Sequence, residues 1–161
     1  LDRFLMHVHV NYPEASAEAE ILRIARERAR DTLHTTAAAV ERLPIEDVFA
    51  ARAAVLDLHV APQLERYLIE LVLASRDARR YDPQLAKRIA WGASPRGSIA
   101  LERCARARAW LAGRDFVTPD DVRAIVPDVL RHRVLPSYEA TAEGWDGDKL
   151  VAALLDVVPL P

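Results

Sequence analysis

The stretch WGASPRG, residues 91–97, separates two helical parts of the sequence. Glycine and proline interrupt regular structure, so we expect a break between helices here. Ser94 is a favourable N-cap residue and Pro95 suits the first helical position, which places Arg96 in the first turn of a new helix. The partial positive charge of a helix N-terminus disfavours a guanidinium there unless an anion such as a phosphate binds. The stretch therefore predicts a helix start that is suited to anion binding.

On both sides of this stretch, apolar residues recur with the period of an α-helix. The predicted helices are 14–33, 45–60, a segment opened by Pro62, a segment from Pro95 to about Ala112, 117–130 and 148–158. Residues 34–44 are predicted to contain a loop, and residues 132–147 to form a loop or a short extended piece. Residues 75–94 are predicted to form an irregular connection with a short helix near 85–89. Pro127 is expected to kink or divide its helix. The sequence thus predicts an all-α bundle of five or six helices.

One segment departs from the helical pattern. FLMHVHV, residues 4–10, is short, apolar and partly alternating, which predicts a strand. Alternation places His7 and His9 on one face, but no acidic or cysteine ligand accompanies them, so we expect strand residues and no metal site. A lone strand needs a neighbour for its backbone groups, and the chain starts without Met inside an apolar pattern. We therefore expect a piece of a longer protein.

The apolar stripe after Pro62 predicts one side of the core. Its members are Leu64, Tyr67, Leu68, Leu71 and Val72. They follow the i, i+3, i+4, i+7, i+8 template of an amphipathic helix. We expect them to pack against a face of the following long helix that carries Ile99, Leu101 and Leu111.

Composition excludes several classes of protein. The chain has 161 residues, enough for one domain, with 51% hydrophobic residues and a net charge of −2, which argues against general nucleic-acid binding. No apolar run approaches the length of a membrane span. A single cysteine, Cys104, excludes an intramolecular disulfide, and with no signal peptide recognised we expect a cytoplasmic location. The arginine-rich stretches 23–30 and 102–110 are typical of solvated helix faces or of pairing with glutamate.

The residues of common catalytic sites are missing from the sequence. It contains no Gly-x-x-x-x-Gly-Lys-Ser/Thr loop for phosphates and no strand that ends in an acidic pair for magnesium. No spacing indicates a Ser/His/Asp or Cys/His set. By itself, the chain shows little sign of being an enzyme.

Three motifs carry a family resemblance that covers essentially the whole chain. LDRF (1–4), GASPRG (92–97) and GRDFVTPDDVRAIVPDVLRHRV (113–134), in this order and spacing, resemble the C-terminal portion of a MoxR-type AAA+ ATPase. More distant relatives include the magnesium-chelatase ATPase subunit. The resemblance implies that residues 14–161 form the helical lid domain. It also implies that residues 1–13 are the tail of the ATPase core, with its last strand and arginine-finger region.

The resemblance also implies roles for two arginines. Arg96 corresponds to the sensor-two residue, which reaches from the lid to the nucleotide phosphates, in most cases within its own subunit. Arg3 corresponds to the arginine finger, which reaches the γ-phosphate bound by the neighbouring subunit. Both roles suit arginine, because phosphoryl transfer depends on positive charge around the developing oxyanions. Ser94, Pro95 and Gly97 are expected to position the helix start.

Alternatives to these roles remain open from the sequence. Arg96 could be a surface residue paired with an Asp or Glu, and Arg3 could lie on a frayed terminus. Trp91 is expected to pack at the loop, with contact to an adenine as the alternative. The acidic residues of TPDDV (118–122) are expected to be structural. The arginine-rich connection 76–90 reads as a family-variable insertion.

For the intact protein the resemblance implies ATP and Mg²⁺ as cofactors and a hexameric ring. It further implies remodelling or maturation of partner proteins, among them one with a von Willebrand A-type domain. Because the phosphate-binding loop is missing from this sequence, we expect the chain alone to bind neither cofactor and to be inactive. The alternative is an autonomous helical interaction or regulatory module without ATPase activity, which uses its arginine-rich faces for contacts.

Overall fold

The structure, a computed structural model, describes residues 1–31 and 42–161, apart from the side chain of Asp31. Its elements are α1 (Ala15–Asp31), α2 (Ile45–Asp57), α3 (Pro62–Arg76), α4 (Pro83–Arg88), β1 (Ile89–Trp91), α5 (Pro95–Leu111), α6 (Pro119–Leu130), β2 (Leu135–Pro136), α7 (Tyr138–Ala142) and α8 (Gly147–Val157). The predicted all-α class is confirmed. Eight helices occur in the described ranges instead of five or six, since α4 and the unpredicted α7 are short additional helices. Residues 32–33 of the predicted helix 14–33 and residues 34–41 of the predicted loop 34–44 lie outside the described residues.

Local capping explains why most helix starts were predictable. Proline occupies the first turn of α3, α4, α5 and α6, where its missing N–H costs nothing. Side-chain oxygens cap five helices: Asp82 caps α4, Ser94 caps α5, Thr118 caps α6, Ser137 caps α7 and Asp146 caps α8. Each accepts a hydrogen bond from a first-turn N–H that has no partner inside its helix. These helices therefore begin where the chain supplies a cap.

The cap of α6 includes an ion pair whose carboxylate is buried. Thr118 and Asp121 form a reciprocal capping box, as the structural reading of TPDDV predicted. Asp121 is 2% exposed, and both of its oxygens accept from Arg114 at 2.6 Å. The Arg114 hydrogen bonds outweigh the opposing effect of burial and, with those from Thr118, lower the pKa of Asp121 from 3.8 to about 2. A bidentate pair thus fixes the start of α6.

Helix α5 lies at the centre of the core and packs against α3, α6 and α2. The α3 stripe is buried as predicted, with Leu71 completely inaccessible. The buried face of α5 consists of Gly97, Ala100, Leu101, Cys104, Ala105 and Ala109. The expectation for Ile99 and Leu111 was wrong, since they are 51% and 78% exposed. Ile99 lies two residues before the buried Leu101, and Leu111 lies two residues after the buried Ala109. Two residues correspond to a rotation of about 200° around the helix, so both side chains point to the opposite face.

The strand predicted for residues 4–10 is absent: these residues form no regular structure. The His7 N–H donates to the carbonyl of Asp128 at 2.7 Å, and Arg131 donates to the His7 carbonyl at 2.9 Å. The end of α6 and an arginine side chain therefore satisfy backbone groups that would otherwise need a neighbouring strand.

Strand β1 was not predicted, whereas β2 lies within 132–147, where a loop or a short extended piece was predicted. β1 and β2 form a small antiparallel pair, in which Trp91 lies opposite Leu135. Helix α6 is not divided at Pro127, because it runs from Pro119 to Leu130 and the Arg131 N–H donates to the Pro127 carbonyl. Residues on both sides of this proline, Val126 and Val129, are fully buried. Tertiary packing thus outweighs the local cost of proline.

The arginine-rich helices behave as predicted in part. In α1, whose described side chains are all exposed, Arg23 pairs with Glu20 and Glu27. In α5, Arg106 pairs with Glu102 and also donates to the carbonyl of Leu58 at 2.6 Å. This last contact ties α5 to the residue that follows α2. In the described ranges, no helix has both the length and the apolar character required to cross a bilayer.

Candidate anion-binding site

Helix α5 begins at Pro95, as the sequence predicted. The Ser94 hydroxyl accepts the backbone N–H of Arg96 at 3.2 Å. Gly97 is buried, and a Cβ there would lie 3.1 Å from the Cβ of Ala93, so a larger residue would press on the preceding turn. The Arg96 side chain is 60% exposed. The guanidinium is therefore accessible to solvent at the N-terminus of a capped helix.

The turn before α5 is fixed by the end of α3. The Ser75 hydroxyl accepts the Ala93 N–H at 2.9 Å, and Arg76 Nε donates to the Ala93 carbonyl at 2.7 Å. At Gly92, a Cβ would lie 2.4 Å from the Ser75 carbonyl oxygen, closer than any side chain tolerates. Trp91 does not pack at this turn, since it is 72% exposed. The expectation that it packs there was wrong, because β1 turns it to solvent.

The N-terminal segment brings a carboxylate to this helix start. Asp2 accepts hydrogen bonds from the Ser94 hydroxyl at 2.9 Å, from Arg96 at 3.3 Å and from Arg133 Nε at 3.2 Å. Burial opposes ionisation of Asp2, but the hydrogen bonds from Ser94 and Arg96 and the charge of Arg133 outweigh it and lower its pKa. Arg96 thus has an acidic partner in this structure. Its guanidinium contacts the Asp2 carboxylate, while most of the Arg96 side chain remains exposed.

Arg3 and Arg96 line the same cavity, of about 300 Å³. Arg103 and Arg133 also line it, and among the residues that the structure describes Asp2 is the one acidic residue of the lining. Arg103 lies seven positions after Arg96 on α5, so the two side chains share a face of the helix. Among the described residues, the lining therefore contains four arginines and one aspartate, an excess of positive charge that suits a multiply charged anion.

Two of these four arginines were not predicted from the sequence to be site residues. Arg103 was grouped with the solvated arginines of residues 102–110, although its spacing from Arg96 was a visible signal. Arg133 lies inside the quoted motif 113–134, but its burial was not predictable from local pattern. Its side chain is only 2% exposed. Burial lowers the pKa of Arg133, and the neighbouring Asp2 opposes that shift.

Three histidines meet beside the same segment. The rings of His7 and His9 are 4.9 Å apart, and those of His7 and His132 are 5.9 Å apart, both edge to face. Burial, together with the charge of Arg133, lowers the pKa of His132. Over residues 1–31 and 42–161, no group of three His, Cys, Asp or Glu residues is arranged to hold a metal ion. Cys104 is buried, which raises the pKa of its thiol.

Comparison with known proteins gives consistent results. Residues 84–154 match the family described as the AAA lid domain. The chain is 32% identical to a Mycobacterium tuberculosis protein named Chaperone MoxR1, over 99% of this chain and 41% of that protein. It is 36% identical to Protein MoxR of Paracoccus denitrificans, over 99% of this chain and 49% of that protein.

A solved structure supports the same relationship. The crystal structure of a candidate ATPase from Cytophaga hutchinsonii matches this chain with a TM-score of 0.89 and 32% sequence identity. The match covers 99% of this chain and 47% of that one. The chain thus spans less than half the length of each of these relatives.

Proposed function

This chain is the lid portion of a MoxR-type AAA+ ATPase, and we propose that it contributes Arg96 and Arg3 to ATP binding and hydrolysis in the intact protein. Residues 14–161 are the proposed lid domain and residues 1–13 the proposed tail of the ATPase core. In these roles, Arg96 is the sensor-two residue and Arg3 the arginine finger. Ser94, Pro95 and Gly97 position the start of α5.

The observation that carries this proposal is the shared cavity. Arg3, Arg96 and Arg103 line one cavity beside the N-terminus of α5, and Asp2 is the one acidic residue among the described lining residues. A helix N-terminus and planar guanidinium groups are the features that bind phosphate oxygens best. Asp2 already supplies a negative group to Ser94, Arg96 and Arg133. The chemistry of the lining therefore fits a phosphate group.

Because Arg3 and Arg96 line one cavity, we propose that both face the same nucleotide. If Arg3 reaches the nucleotide of the neighbouring subunit, Arg96 then also acts across the subunit boundary. This differs from the expectation, drawn from the resemblance, that sensor-two acts within its own subunit. ATP would supply the phosphoryl group, and this chain's arginines would stabilise the charge that develops on the transferring oxygens. We propose no Mg²⁺ ligand among the described residues.

The wider role follows the relatives. We propose that the intact protein forms a ring of subunits, hexameric as the family resemblance implies, and that this ring remodels or matures partner proteins. The name Chaperone MoxR1 of the Mycobacterium tuberculosis relative supports a chaperone-like role. We also propose a partner protein with a von Willebrand A-type domain. We further propose a cytoplasmic location, since the lone cysteine of the sequence is consistent with a reducing compartment.

The test uses the intact protein. Arg96→Ala should slow ATP hydrolysis by about 10²- to 10⁵-fold, since it removes a charge from the transition state. Ring assembly, measured by analytical ultracentrifugation, should be retained. The matched control is Arg108→Ala, which changes an exposed arginine of the same helix outside this cavity. A loss below threefold for Arg96→Ala, with nucleotide affinity intact, would contradict the proposal. It would favour the alternative of a helical interaction module.

Mixing subunits then decides where Arg96 acts. Arg96→Ala subunits are combined with subunits whose phosphate-binding loop is inactivated. If Arg96 acts across the boundary, some mixed interfaces hold a complete site and activity partly returns. If it acts within its own subunit, no complete site forms and activity stays absent. Arg3→Ala subunits in the same mixture serve as the reference for action across the boundary.

A further inference from the structure

The buried guanidinium of Arg133 holds the N-terminal segment by its backbone. Nε donates to Asp2 Oδ1 at 3.2 Å. One terminal nitrogen donates to the carbonyls of Leu5, at 3.3 Å, and of Val129. The other donates to the carbonyls of Asp2, at 3.2 Å, and of Phe4. Burial of a charge is costly unless its donors are satisfied, and these five acceptors, four of them in residues 2–5, satisfy them.

Arg3 lies within this clamped segment. The carbonyls of Asp2 and Phe4, on either side of it, are both bound to Arg133. His132 adds a contact of its Nε2 with the Phe4 carbonyl at 3.3 Å. The main chain of Arg3 is therefore held at the end of α6, and Arg3 is one of the residues that line the cavity.

We propose that Arg133 is a positioning residue that makes Arg3 move with the helical domain rather than independently of it. Helix α6 packs closely against α5, which carries Arg96. The clamp therefore fixes the relative placement of Arg3 and Arg96, so that both arginines reach one anion as a single unit. This inference rests on the proposed function, because its catalytic consequence passes through Arg3.

Arginine is suited to this role, because five acceptors require a planar group with donors along two edges. Lysine carries three donors on one atom, so it retains the charge but cannot reach the spread of carbonyls. Arg133→Lys should therefore loosen residues 2–5 while leaving a cation in place. The matched control is Arg123→Lys, since Arg123 donates to a carbonyl of α8, that of Leu155, at 3.1 Å.

The first measurement is hydrogen exchange in the intact protein. The Phe4 N–H donates to the Leu1 carbonyl at 2.9 Å, and that of His7 to Asp128 at 2.7 Å. In Arg133→Lys, exchange at these two amides should rise by at least about tenfold, with α5 and α6 unchanged. Arg123→Lys should leave both amides unchanged. Unchanged exchange in Arg133→Lys would overturn the inference.

The second measurement is steady-state kinetics of the same proteins. Arg133→Lys should lower kcat in the manner of Arg3→Ala, with KM for ATP within about threefold of wild type. The double variant should be no slower than the slower single variant, because both changes remove the same contact. The inference would be overturned if the losses in kcat of the two single variants multiplied in the double variant, or if Arg133→Lys changed KM alone.

Failure of the inference and of the proposed function can be told apart. If Arg3→Ala leaves kcat unchanged, the proposed function fails, and hydrogen exchange still decides whether Arg133 holds residues 2–5. If Arg3→Ala slows hydrolysis while Arg133→Lys changes neither kcat nor exchange, only the inference fails. Should Arg133→Lys not fold, Arg133→Gln takes its place with the same expectations, since it keeps amide donors and leaves no buried charge.

Discussion

The carboxylate of Asp2 lies 2.9 Å from the hydroxyl oxygen of Ser94, although 92 positions separate them in the chain. Ser94 is also the cap of α5, so one serine joins the helix start to the N-terminal segment. The same carboxylate contacts Arg96 and the buried Arg133. Asp2 therefore links the two arginines for which we propose a role at the nucleotide, Arg96 directly and Arg3 as its neighbour in the chain.

Truncation of the α3 stripe should destabilise the domain. Leu68 is 2% exposed, and Leu68→Ala should lower the free energy of unfolding by about 2–5 kcal/mol because it removes buried methyl groups and leaves a cavity. Urea denaturation measures this. The control is Leu73→Ala on the same helix, where the side chain is 45% exposed and the effect should be small. An equal effect of both substitutions would show that the stripe is not core.

A side chain at Gly92 should disturb the turn that sets the start of α5. Its Cβ would lie 2.4 Å from the carbonyl oxygen of Ser75 and 2.7 Å from the Cα of Arg76, both of them backbone atoms that cannot rotate away. Gly92→Ala should therefore lower Tm by several degrees, since overpacking costs about 1–3 kcal/mol and each kcal/mol shifts Tm by about 2–4 °C in a domain of this size.

Gly144 provides the comparison for this substitution. It has a positive φ of 80° in the turn after α7, and its nearest non-local atom is the end of a lysine side chain at 3.9 Å. Gly144→Asn should be tolerated, because asparagine accepts this backbone region and meets no backbone atom. If the Tm of the Gly92→Ala protein equals that of wild type, the turn can move away from α3 at little energetic cost.

Stability should depend on Asp121 at acidic pH. Because the pKa of this carboxyl is lowered in the folded state, from 3.8 to about 2, the unfolded chain binds its proton first as the pH falls. The stabilisation is present above about pH 4 and is lost as the pH falls through about 2, a change of about 2 kcal/mol.

The measurement compares two variants. Asp121→Asn should have a lower free energy of unfolding than wild type at neutral pH, since it leaves Arg114 with a neutral partner. This difference in free energy should shrink between pH 4 and pH 2. The exposed neighbour Asp120 serves as control, because Asp120→Asn should retain the wild-type dependence. A constant difference across this range would show that Asp121 does not titrate with folding.

The purified 161-residue chain should not hydrolyse ATP at a measurable rate. Its sequence contains no loop that cradles phosphates, and positioning of the phosphates supplies most of the catalysis in this reaction. A coupled phosphate-release assay checks this, with the intact protein as positive control. Reproducible hydrolysis that disappears in Arg96→Ala would show that the chain carries a complete site.

Local sequence determined where the helices begin and which face of α3 is buried. Proline in the first turn and a Ser, Thr or Asp cap act on neighbouring N–H groups, so their effect is readable within a few residues. The start of α5 at Pro95, and with it the place of Arg96, followed from such signals. The α3 stripe was readable because its period matches the helix.

Only the tertiary structure decided what these helices bring together. The segment 4–10 has the alternation of a strand, yet the carbonyl of Asp128 and the side chain of Arg131 bind its backbone. On α5, Leu101 and several small residues face the core and Ile99 faces solvent, an arrangement that depends on how closely the neighbouring helices approach. The joining of Asp2, Ser94 and Arg133 spans most of the chain. Such contacts depend on the packed arrangement of distant elements, whereas periodicity and caps report only on residues close in sequence.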